Sequence, residues 1–290
     1  MRALTRNRNS ERAIALYKSG AEIVEGDLND RQSLQLAMKD CYGVYGVTNY
    51  WEHFEKEYDQ GKNLIDTAKE MNIKHFMLHT LPDYNRISSG TYPTPQCDIK
   101  AELQRYAISK KLSATFMQLA FYYENFLTFF PLQYARNDTW KFGFPQGTTK
   151  LAMISVEDVG GIVSTIFNHP AEYLGRTVCA VGSDETCYVY AALMGKILGR
   201  KIRYNYITRD EFADMNFPHA SELANMFEVQ RLYIPEKLMS LIESYGLNPG
   251  MLSFKQWLIK NKEKFDAYFN AVLSKHPASA GATSANQPPL

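Results

Sequence analysis

Two short stretches near the start of the chain decide the fold: MRALTRN at residues 1–7 and GAEIVEGD at residues 20–27. Each has an apolar centre of strand length that ends in polar or turn-forming residues. Ser10, between them, can cap a connecting helix. The pattern then predicts a helix over Gln32–Met38 and a strand over Gly43–Val47. Strands that alternate with helices at this pace predict a parallel sheet with right-handed crossovers.

The alternation continues through the middle of the chain and then loosens. The next predicted elements are helices over 55–71 and 98–109 and strands over 74–79 and 114–119, and the pattern beyond residue 188 is mainly helical, with a helix over 253–272. We therefore expect an α/β protein with a Rossmann-like parallel sheet over residues 1–150. A smaller α+β lobe over 151–275 should extend across the carboxyl edge of the sheet. The tail over 276–290 is rich in Ala, Ser, Gly and Pro and should be disordered.

Residues 1–7 have the pattern of the second strand of a dinucleotide-binding sheet, and a basic residue stands at the end of this strand. In dinucleotide-binding folds a basic residue at this place meets the 2′-phosphate of NADP, whereas an acidic one favours NAD. Arg6 occupies the position, with Arg8 and Arg12 nearby. These arginines could also be ordinary solvated surface charge. On the first interpretation, residues 1–150 form an NAD(P)-binding domain.

The glycine-rich turn of such a domain is missing. No G-x-G-x-x-G or G-x-x-G-x-x-G pattern opens the sequence or follows a later strand. Those glycines let the backbone approach the pyrophosphate, and their strand lies at the centre of the sheet. Its two neighbours would expose apolar edges unless they pair with each other. The domain therefore looks N-terminally incomplete. Either the gene model or splice form is incomplete, or the protein has genuinely lost the glycine-rich segment that would bind the cofactor. The buried composition of the remaining strands favours the first explanation.

Composition indicates an ordinary soluble protein. The 290 residues are 45% hydrophobic with a formal net charge of +1, so no basic field for direct nucleic-acid binding is expected. The four cysteines lack CxxC spacing and the six histidines lack zinc-binding spacing, so we expect reduced thiols and no metal. Without a secretory signal or a membrane-length apolar run, we expect a cytoplasmic protein with no membrane contact, and the nucleus as a second compartment.

Five elements in order carry a resemblance to a known family. They are RALTRN at 2–7, GAEIVEGD at 20–27, VTNYWE at 47–52, YYENF at 122–126 and LANMF at 223–227. In this combination the chain resembles the NmrA-like family of atypical short-chain dehydrogenases/reductases, in particular animal members that act as NADPH sensors. The resemblance covers roughly residues 1–269. It implies a Rossmann fold, NADP(H) as cofactor, a regulatory protein partner, a role in transcriptional regulation, and homodimers that change with cofactor state.

The resemblance also implies roles for individual residues. Arg6 would hold the 2′-phosphate through its guanidinium. Lys100 would reach the nicotinamide ribose. The other implied cofactor contacts are Asp27 and Leu28 beside the adenine, Thr48, Asn49 and Tyr50 along the pyrophosphate and ribose, His79 and Thr80 at the end of the strand predicted over 74–79, and Tyr122, Tyr123, Glu124 and Asn125 below the nicotinamide ring.

Catalysis requires a separate argument. Short-chain reductases use a Tyr-x-x-x-Lys pair in which the lysine lowers the pKa of the tyrosine. This spacing occurs at Tyr58–Lys62, on the wrong helix, and at Tyr106–Lys110, at the wrong end of its helix. Four residues before Lys100 stands Gln96, which cannot exchange a proton. The usual tyrosine is therefore not in place, and we do not expect turnover.

Three functions stay open on the sequence. The favoured one is an NADP(H)-binding redox sensor that acts through protein interactions. The second is an NADPH-dependent reductase in which Lys100 alone serves as general acid or base, as in isoflavone-reductase-like relatives. The third is an interaction scaffold without a nucleotide site, which follows if the missing glycine-rich segment is a genuine loss.

Overall fold

A computed structural model describes residues 1–135, 138–234 and 239–275. The first half of the chain alternates strands with helices, as the sequence predicts. Its elements are β1 (Arg2–Thr5), α1 (Glu11–Lys18), β2 (Glu22–Glu25), α2 (Arg31–Met38), β3 (Gly43–Gly46), α3 (Tyr50–His53), a 3-10 turn (Phe54–Lys56), α4 (Glu57–Glu70), β4 (His75–Thr80), α5 (Tyr84–Ile87), α6 (Pro95–Ser109) and β5 (Ala114–Leu119). Ser10 caps α1 as predicted, since its hydroxyl accepts a hydrogen bond from the Ala13 amide.

The second half contains shorter strands and more helices. Its elements are β6 (Phe121–Tyr122), β7 (Gln133–Ala135), β8 (Thr139–Phe142), β9 (Lys150–Ile154), α7 (Val159–Asn168), α8 (Pro170–Tyr173), β10 (Thr177–Ala180), β11 (Ser183–Thr186), α9 (Cys187–Leu198), β12 (Lys201–Tyr204), α10 (Arg209–Ala213), α11 (Ala220–Tyr233), α12 (Leu241–Leu247), α13 (Phe254–Lys260) and α14 (Lys262–Leu273). The helix predicted over 253–272 is two helices that meet at Asn261. The tail predicted at 276–290 lies outside the described residues.

The parallel sheet is divided into two parts. Strands β10, β5, β4 and β3 form a four-stranded sheet in that order, with every pairing parallel. Strands β1 and β2 form a separate parallel pair in which Arg2 lies opposite Glu22. Within the described part of the chain no strand joins β1 to β3, and these two strands do not pair with each other. The predicted α/β class with a parallel sheet is confirmed.

Helices α4 and α6 cover one face of the four-stranded sheet. Strand β4 reads HFMLHT and is buried along its whole length, with an apolar centre between polar ends. The two helices pack closely because Gly61 in α4 has no side chain: a Cβ at this position would overlap the side chain of Leu103 in α6. Both Leu64 and Leu103 belong to the core cluster that lies between these helices and the sheet.

The second lobe has an aromatic core of its own. Phe144 stacks on Phe227 with ring centroids 4.9 Å apart, and Trp140 lies 4.4 Å from Phe269. Phe126 and Phe142 also pack into this core, whereas β10 returns to the main sheet. The chain therefore crosses between the lobes more than once, and the predicted domain boundary near residue 150 stays a prediction. The four cysteines are free thiols, as expected.

Candidate functional site

A cavity of about 1030 Å³ lies between the carboxyl ends of β3, β4 and β5 and the second lobe. Ligands of open α/β sheets bind at this edge, so the cavity stands where the fold predicts a site. Polar groups line the side formed by the strand ends and α6, and mainly apolar groups line the side formed by the second lobe. The polar lining includes Thr48, Asn49, His79, Gln96 and Lys100, and the apolar lining includes Phe121, Phe129, Phe130, Phe217, Leu223 and Met226.

Lys100 is the centre of a buried polar cluster beside this cavity. Its Nζ donates to the carbonyl oxygen and to the hydroxyl oxygen of Thr48, at 3.1 Å each. It also forms an ion pair with Glu57, the first residue of α4. The carboxylate of Glu57 is fully buried and accepts a second hydrogen bond, 2.6 Å long, from the Thr48 hydroxyl. The two charges thus neutralise each other inside the protein, and Glu57 Oε2 has no hydrogen-bond partner among the described residues.

This arrangement limits what Lys100 can do chemically. A protonated lysine has three N–H donors, and here they have three acceptors, two on Thr48 and one on Glu57. Delivery of a proton to a substrate would require one of these hydrogen bonds to break, within a site where the side chain of Lys100 is only 8% exposed. The geometry therefore favours an anchored cation over a free general acid.

His79 and Gln96 provide polar atoms without protein partners. Burial, with a smaller contribution from the positive charge of Lys100, lowers the pKa of His79 to about 3, so the imidazole is neutral. Within the described residues, neither its Nε2 atom nor Oε1 of Gln96 has a hydrogen-bond partner. The amide nitrogen of Gln96 donates to the backbone oxygen of Glu222 at 3.2 Å. Buried polar atoms are normally satisfied, so these two suit a polar ligand.

Four other residues proposed for the cofactor also line the cavity: Asn49, Tyr50, Tyr122 and Asn125. Burial is the main cause that raises the pKa of Tyr122 to about 12, and the neighbouring Glu124 carboxylate adds to it. The phenol therefore stays protonated at neutral pH and can serve as a hydrogen-bond donor. It stands on β6, whereas the reductase tyrosine would stand on α6 at Gln96.

Three further residues proposed for the cofactor do not line this cavity, although their neighbours in sequence do. Thr80 is completely buried and does not line the cavity. Tyr123 is buried in the second lobe, where its hydroxyl donates to Ser183 Oγ at 3.0 Å. Glu124 accepts hydrogen bonds from Ser155 Oγ at 2.7 Å and from Trp257 Nε1 at 3.0 Å. These bonds give Tyr123 and Glu124 a structural role in holding the second lobe together.

A second cavity, of about 340 Å³, lies at the carboxyl end of β1 beside the start of α1. Its polar lining consists of Thr5, Arg6, Asn7, Ser10 and Arg12. The side chain of Arg6 is 54% exposed, and its guanidinium forms an ion pair with Glu52 in α3. An exposed basic group in a concave site of this kind is suited to an anion such as a phosphate.

The two residues proposed to border the adenine lie outside both cavities. Asp27 follows β2, and its carboxylate accepts a 2.7 Å hydrogen bond from the Asn29 amide. Leu28 packs against the core cluster below α2 and α4. Its carbonyl oxygen accepts a 2.9 Å hydrogen bond from Asn63 Nδ2. Their contact with an adenine stays a prediction.

A nicotinamide dinucleotide fits this arrangement at its two ends and not in the middle. Arg6 and Asn7 would suit the phosphate of the adenosine half, and the unpaired polar atoms of His79 and Gln96 would suit the nicotinamide half. Over residues 1–135, 138–234 and 239–275, no glycine-rich turn presents backbone N–H groups to a pyrophosphate. The same ranges contain no group of His, Cys, Asp or Glu that could hold a metal ion. They also contain no helix long and apolar enough to cross a membrane.

The two Tyr-x-x-x-Lys spacings lie together on α4 and α6, away from the cavity. The ammonium of Lys62 lies 5.4 Å from the ring centroid of Tyr106, and that of Lys110 lies 5.0 Å from it. None of these residues lines the large cavity. Gln96 and Lys100, one turn apart on α6, both do. The position where a reductase tyrosine would act is therefore occupied by glutamine.

Sequence reasoning missed two carboxylates, Glu52 and Glu57. Both face a cation that is distant in sequence, 46 residues away for Glu52 and 43 for Glu57. No spacing rule connects residues so far apart. The one available signal was their position in short polar segments that follow a strand end, where side chains converge on the sheet edge.

Comparison with known proteins agrees with the observed fold. A family model described as the NmrA-like family matches residues 1–244. The chain belongs to the NmrA-like family. This NmrA-like chain is 26% identical over 218 residues to an NmrA-like family domain-containing protein of Dictyostelium discoideum, covering 72% of each. It is 30% identical over 252 residues to the NmrA-like oxidoreductase notA of an Aspergillus species, covering 79% of this chain and 74% of the relative.

Solved structures show the same fold for the NmrA-like chain. The negative transcriptional regulator NmrA, crystallised in complex with NADP, superposes with a TM-score of 0.75 at 18% identity. The match covers 93% of this chain and 89% of NmrA. The NADPH-dependent quinone oxidoreductase QOR2 of Escherichia coli gives a TM-score of 0.71 at 19% identity, with 93% and 90% covered. The fold is therefore common to a regulator and to a reductase.

Proposed function

We propose that this NmrA-like chain binds NADP(H) along the edge of its sheet and acts as a redox-responsive regulatory protein. The observation that carries the proposal is the buried cluster at Lys100: every N–H of its ammonium is engaged by Thr48 or Glu57. With Gln96 at the tyrosine position, the site can orient a ribose and a nicotinamide ring but has no group ready to exchange a proton. Binding without turnover is the behaviour expected of a sensor.

The cofactor assignment is supported by both cavities. Arg6 offers a guanidinium to a 2′-phosphate, and NmrA and QOR2 were crystallised with NADP and NADPH. When bound, NADP(H) would supply the redox chemistry that the sensor reports, while residues of this chain bind and orient it. Arg6 would hold the phosphate and His79 the carboxamide, while Lys100, whose N–H groups are engaged, would keep Thr48 and Glu57 in place beside the ribose.

Regulation would follow from the position of the large cavity between the two lobes. Its lining combines strand ends of the sheet with residues of the second lobe, such as Leu223 and Met226. A ligand that contacts both lobes stabilises the arrangement in which both contacts are made. A partner protein or a second copy of the chain that prefers the other arrangement would then bind according to cofactor state. A cytoplasmic or nuclear location suits this role.

A reductase is the second candidate, favoured by one observation. The apolar part of the cavity, with Phe121, Phe129 and Phe130, extends beyond the polar groups at the strand ends and could hold an apolar substrate beside a nicotinamide ring. Several relatives, notA among them, are named oxidoreductases. In this case Lys100 would have to leave Glu57 or Thr48 to act.

Calorimetric titration with NADPH, NADP and NADH distinguishes the candidates. The variant Arg6→Ala should weaken binding of NADPH more than that of NADH, whereas Arg31→Ala, which removes another exposed and ion-paired arginine, should change neither. Binding without oxidation of NADPH in the presence of quinone acceptors supports the sensor. Oxidation that disappears in Lys100→Met, in a sample that circular dichroism shows to be folded, supports the reductase. Absence of binding contradicts both and leaves an interaction scaffold.

A further inference from the structure

Helix α3 and the 3-10 turn after it connect the two cavities. On one side, Glu52 forms the ion pair with Arg6 in the smaller cavity. On the other side, the rings of Tyr50, Trp51 and Phe54 surround His219 of the second lobe. Their ring centroids lie 6.4, 5.3 and 4.8 Å from that of His219, and all four residues line the large cavity. We call these four residues the aromatic latch.

Glu52 stands where an anionic ligand of Arg6 would compete with it. Its carboxylate pairs with the guanidinium, and its second oxygen accepts a 3.4 Å hydrogen bond from Asn49 Nδ2. Guanidinium groups recognise carboxylates and phosphates through the same planar fork of donors. A phosphate on Arg6 would also lie beside the Glu52 carboxylate, and like charges so placed repel each other.

We propose that Glu52 is a specificity-determining residue, an internal competitor of the 2′-phosphate of NADP(H) for Arg6, and that its displacement opens the aromatic latch. The inference rests on the proposed function and names the regulation of the same site. Glu52 and Trp51 belong to the same helical turn, so a ligand that displaces this turn together with Glu52 would also move the Trp51 ring. Occupancy of the smaller cavity would thereby change the contact between the lobes across the larger one.

The backbone of the latch favours release once Glu52 has moved. Phe54 has a φ of 30° and His219 a φ of 64°, both in the region that residues with a side chain rarely adopt. Such conformations persist only where the surrounding contacts hold them. The Phe54–His219 stack, with an interplanar angle of 29°, joins these two strained positions.

The strength with which Glu52 competes for Arg6 follows from the solvent exposure of their ion pair. The side chains are 54% and 43% exposed, and ion pairs of this kind contribute little because water screens them. Glu52→Gln should therefore raise the affinity for a 2′-phosphate by about 1.5- to 5-fold at low salt. The affinity for a ligand without that phosphate should not change. The difference should shrink at high salt, because exposed charges are then screened.

The test uses 2′,5′-ADP and 5′-AMP as probes, which differ by the 2′-phosphate and need no nicotinamide site. Calorimetry would compare wild type, Glu52→Gln and the control Glu70→Gln. Glu70 pairs with Arg31 at similar exposures, 42% and 49%, so the control removes the same charge from a comparable pair. We expect only Glu52→Gln to tighten binding of 2′,5′-ADP, and no variant to change binding of 5′-AMP.

Tryptophan fluorescence reports the latch in the same samples. Trp51 is 39% exposed, whereas Trp140 and Trp257 are buried in the core of the second lobe, and Trp51→Phe identifies its contribution. We expect 2′,5′-ADP to change Trp51 emission in wild type, and Glu52→Gln to show that change without ligand. Tighter binding with constant emission would overturn the link to the latch.

Two further outcomes separate this inference from the proposed function. If NADPH binds but Glu52→Gln leaves its affinity unchanged while Arg6→Ala weakens it, the competition is refuted and the sensor stands. If no variant binds NADPH or 2′,5′-ADP, both are refuted together.

Discussion

Breaking the buried ion pair between Lys100 and Glu57 should destabilise the protein strongly. The Glu57 side chain is completely buried and that of Lys100 is 8% exposed. Lys100→Met or Glu57→Leu alone leaves a charge inside the protein without its partner, which costs about 3–5 kcal/mol in the free energy of unfolding. The double variant removes both charges, so it should lose only about 1–2 kcal/mol, mainly because the Thr48 hydroxyl loses its acceptor.

Urea denaturation followed by circular dichroism measures the four proteins of this double-mutant cycle. If the single variants cost about 3–5 kcal/mol each and the double about 1–2, the coupling energy is at least about 4 kcal/mol. The same cycle at Arg31 and Glu70, whose side chains are 42% and 49% exposed, should give about 1 kcal/mol or less. Additive losses at Lys100 and Glu57, within about 0.5 kcal/mol, would refute the reasoning.

Three other changes have defined outcomes. The pKa of His79 is about 6.5 in the unfolded chain and about 3 in the folded protein, so acidification from pH 6.5 towards 3 favours unfolding, by at most about 1.4 kcal/mol per pH unit. In urea titrations over that range, the free energy of unfolding of His79→Gln should depend less steeply on pH. An unchanged slope would contradict the neutral imidazole. Tyr123→Phe loses the bond to Ser183 and should cost about 1 kcal/mol without changing NADPH affinity; a large loss of affinity would instead place Tyr123 in the site. Thr208→Ala removes the capping box at the start of α10 and should lower stability by about 1 kcal/mol in thermal unfolding, whereas an unchanged melting temperature would show that tertiary packing alone maintains the helix.

Much of the first half of the fold was predictable because its signals are local. The buried parallel strand β4 has an apolar centre, FML within HFMLHT, and α1 begins at a recognisable cap, Ser10. The second half of the fold was less predictable from the sequence. Strand β11 reads SDET and owes its conformation to antiparallel pairing with β9. No local pattern in such a polar segment indicates a strand.

The candidate site was predictable only as far as strand ends reveal it. Thr48 follows β3 and His79 lies near the end of β4, and the structure places both beside the large cavity. The partners of the charged residues were not predictable. Glu57 meets Lys100, and Glu52 meets Arg6, through contacts between separate elements that depend on how the helices pack. Sequence spacing carries no information on such contacts.

The missing side chain of Gly61 has a consequence for the chemistry of the site. Gly61 lies one turn after Glu57 on α4, and its neighbour Leu103 lies nearly one turn after Lys100 on α6. The contact that brings the two helix axes together is therefore adjacent to the contact that joins their charges. An added methyl group at residue 61 would push the two helices apart. It would thereby lengthen the distance between the Lys100 and Glu57 side chains without contacting either residue. The length of the buried ion pair thus depends on the hydrophobic core, through the distance between two helices.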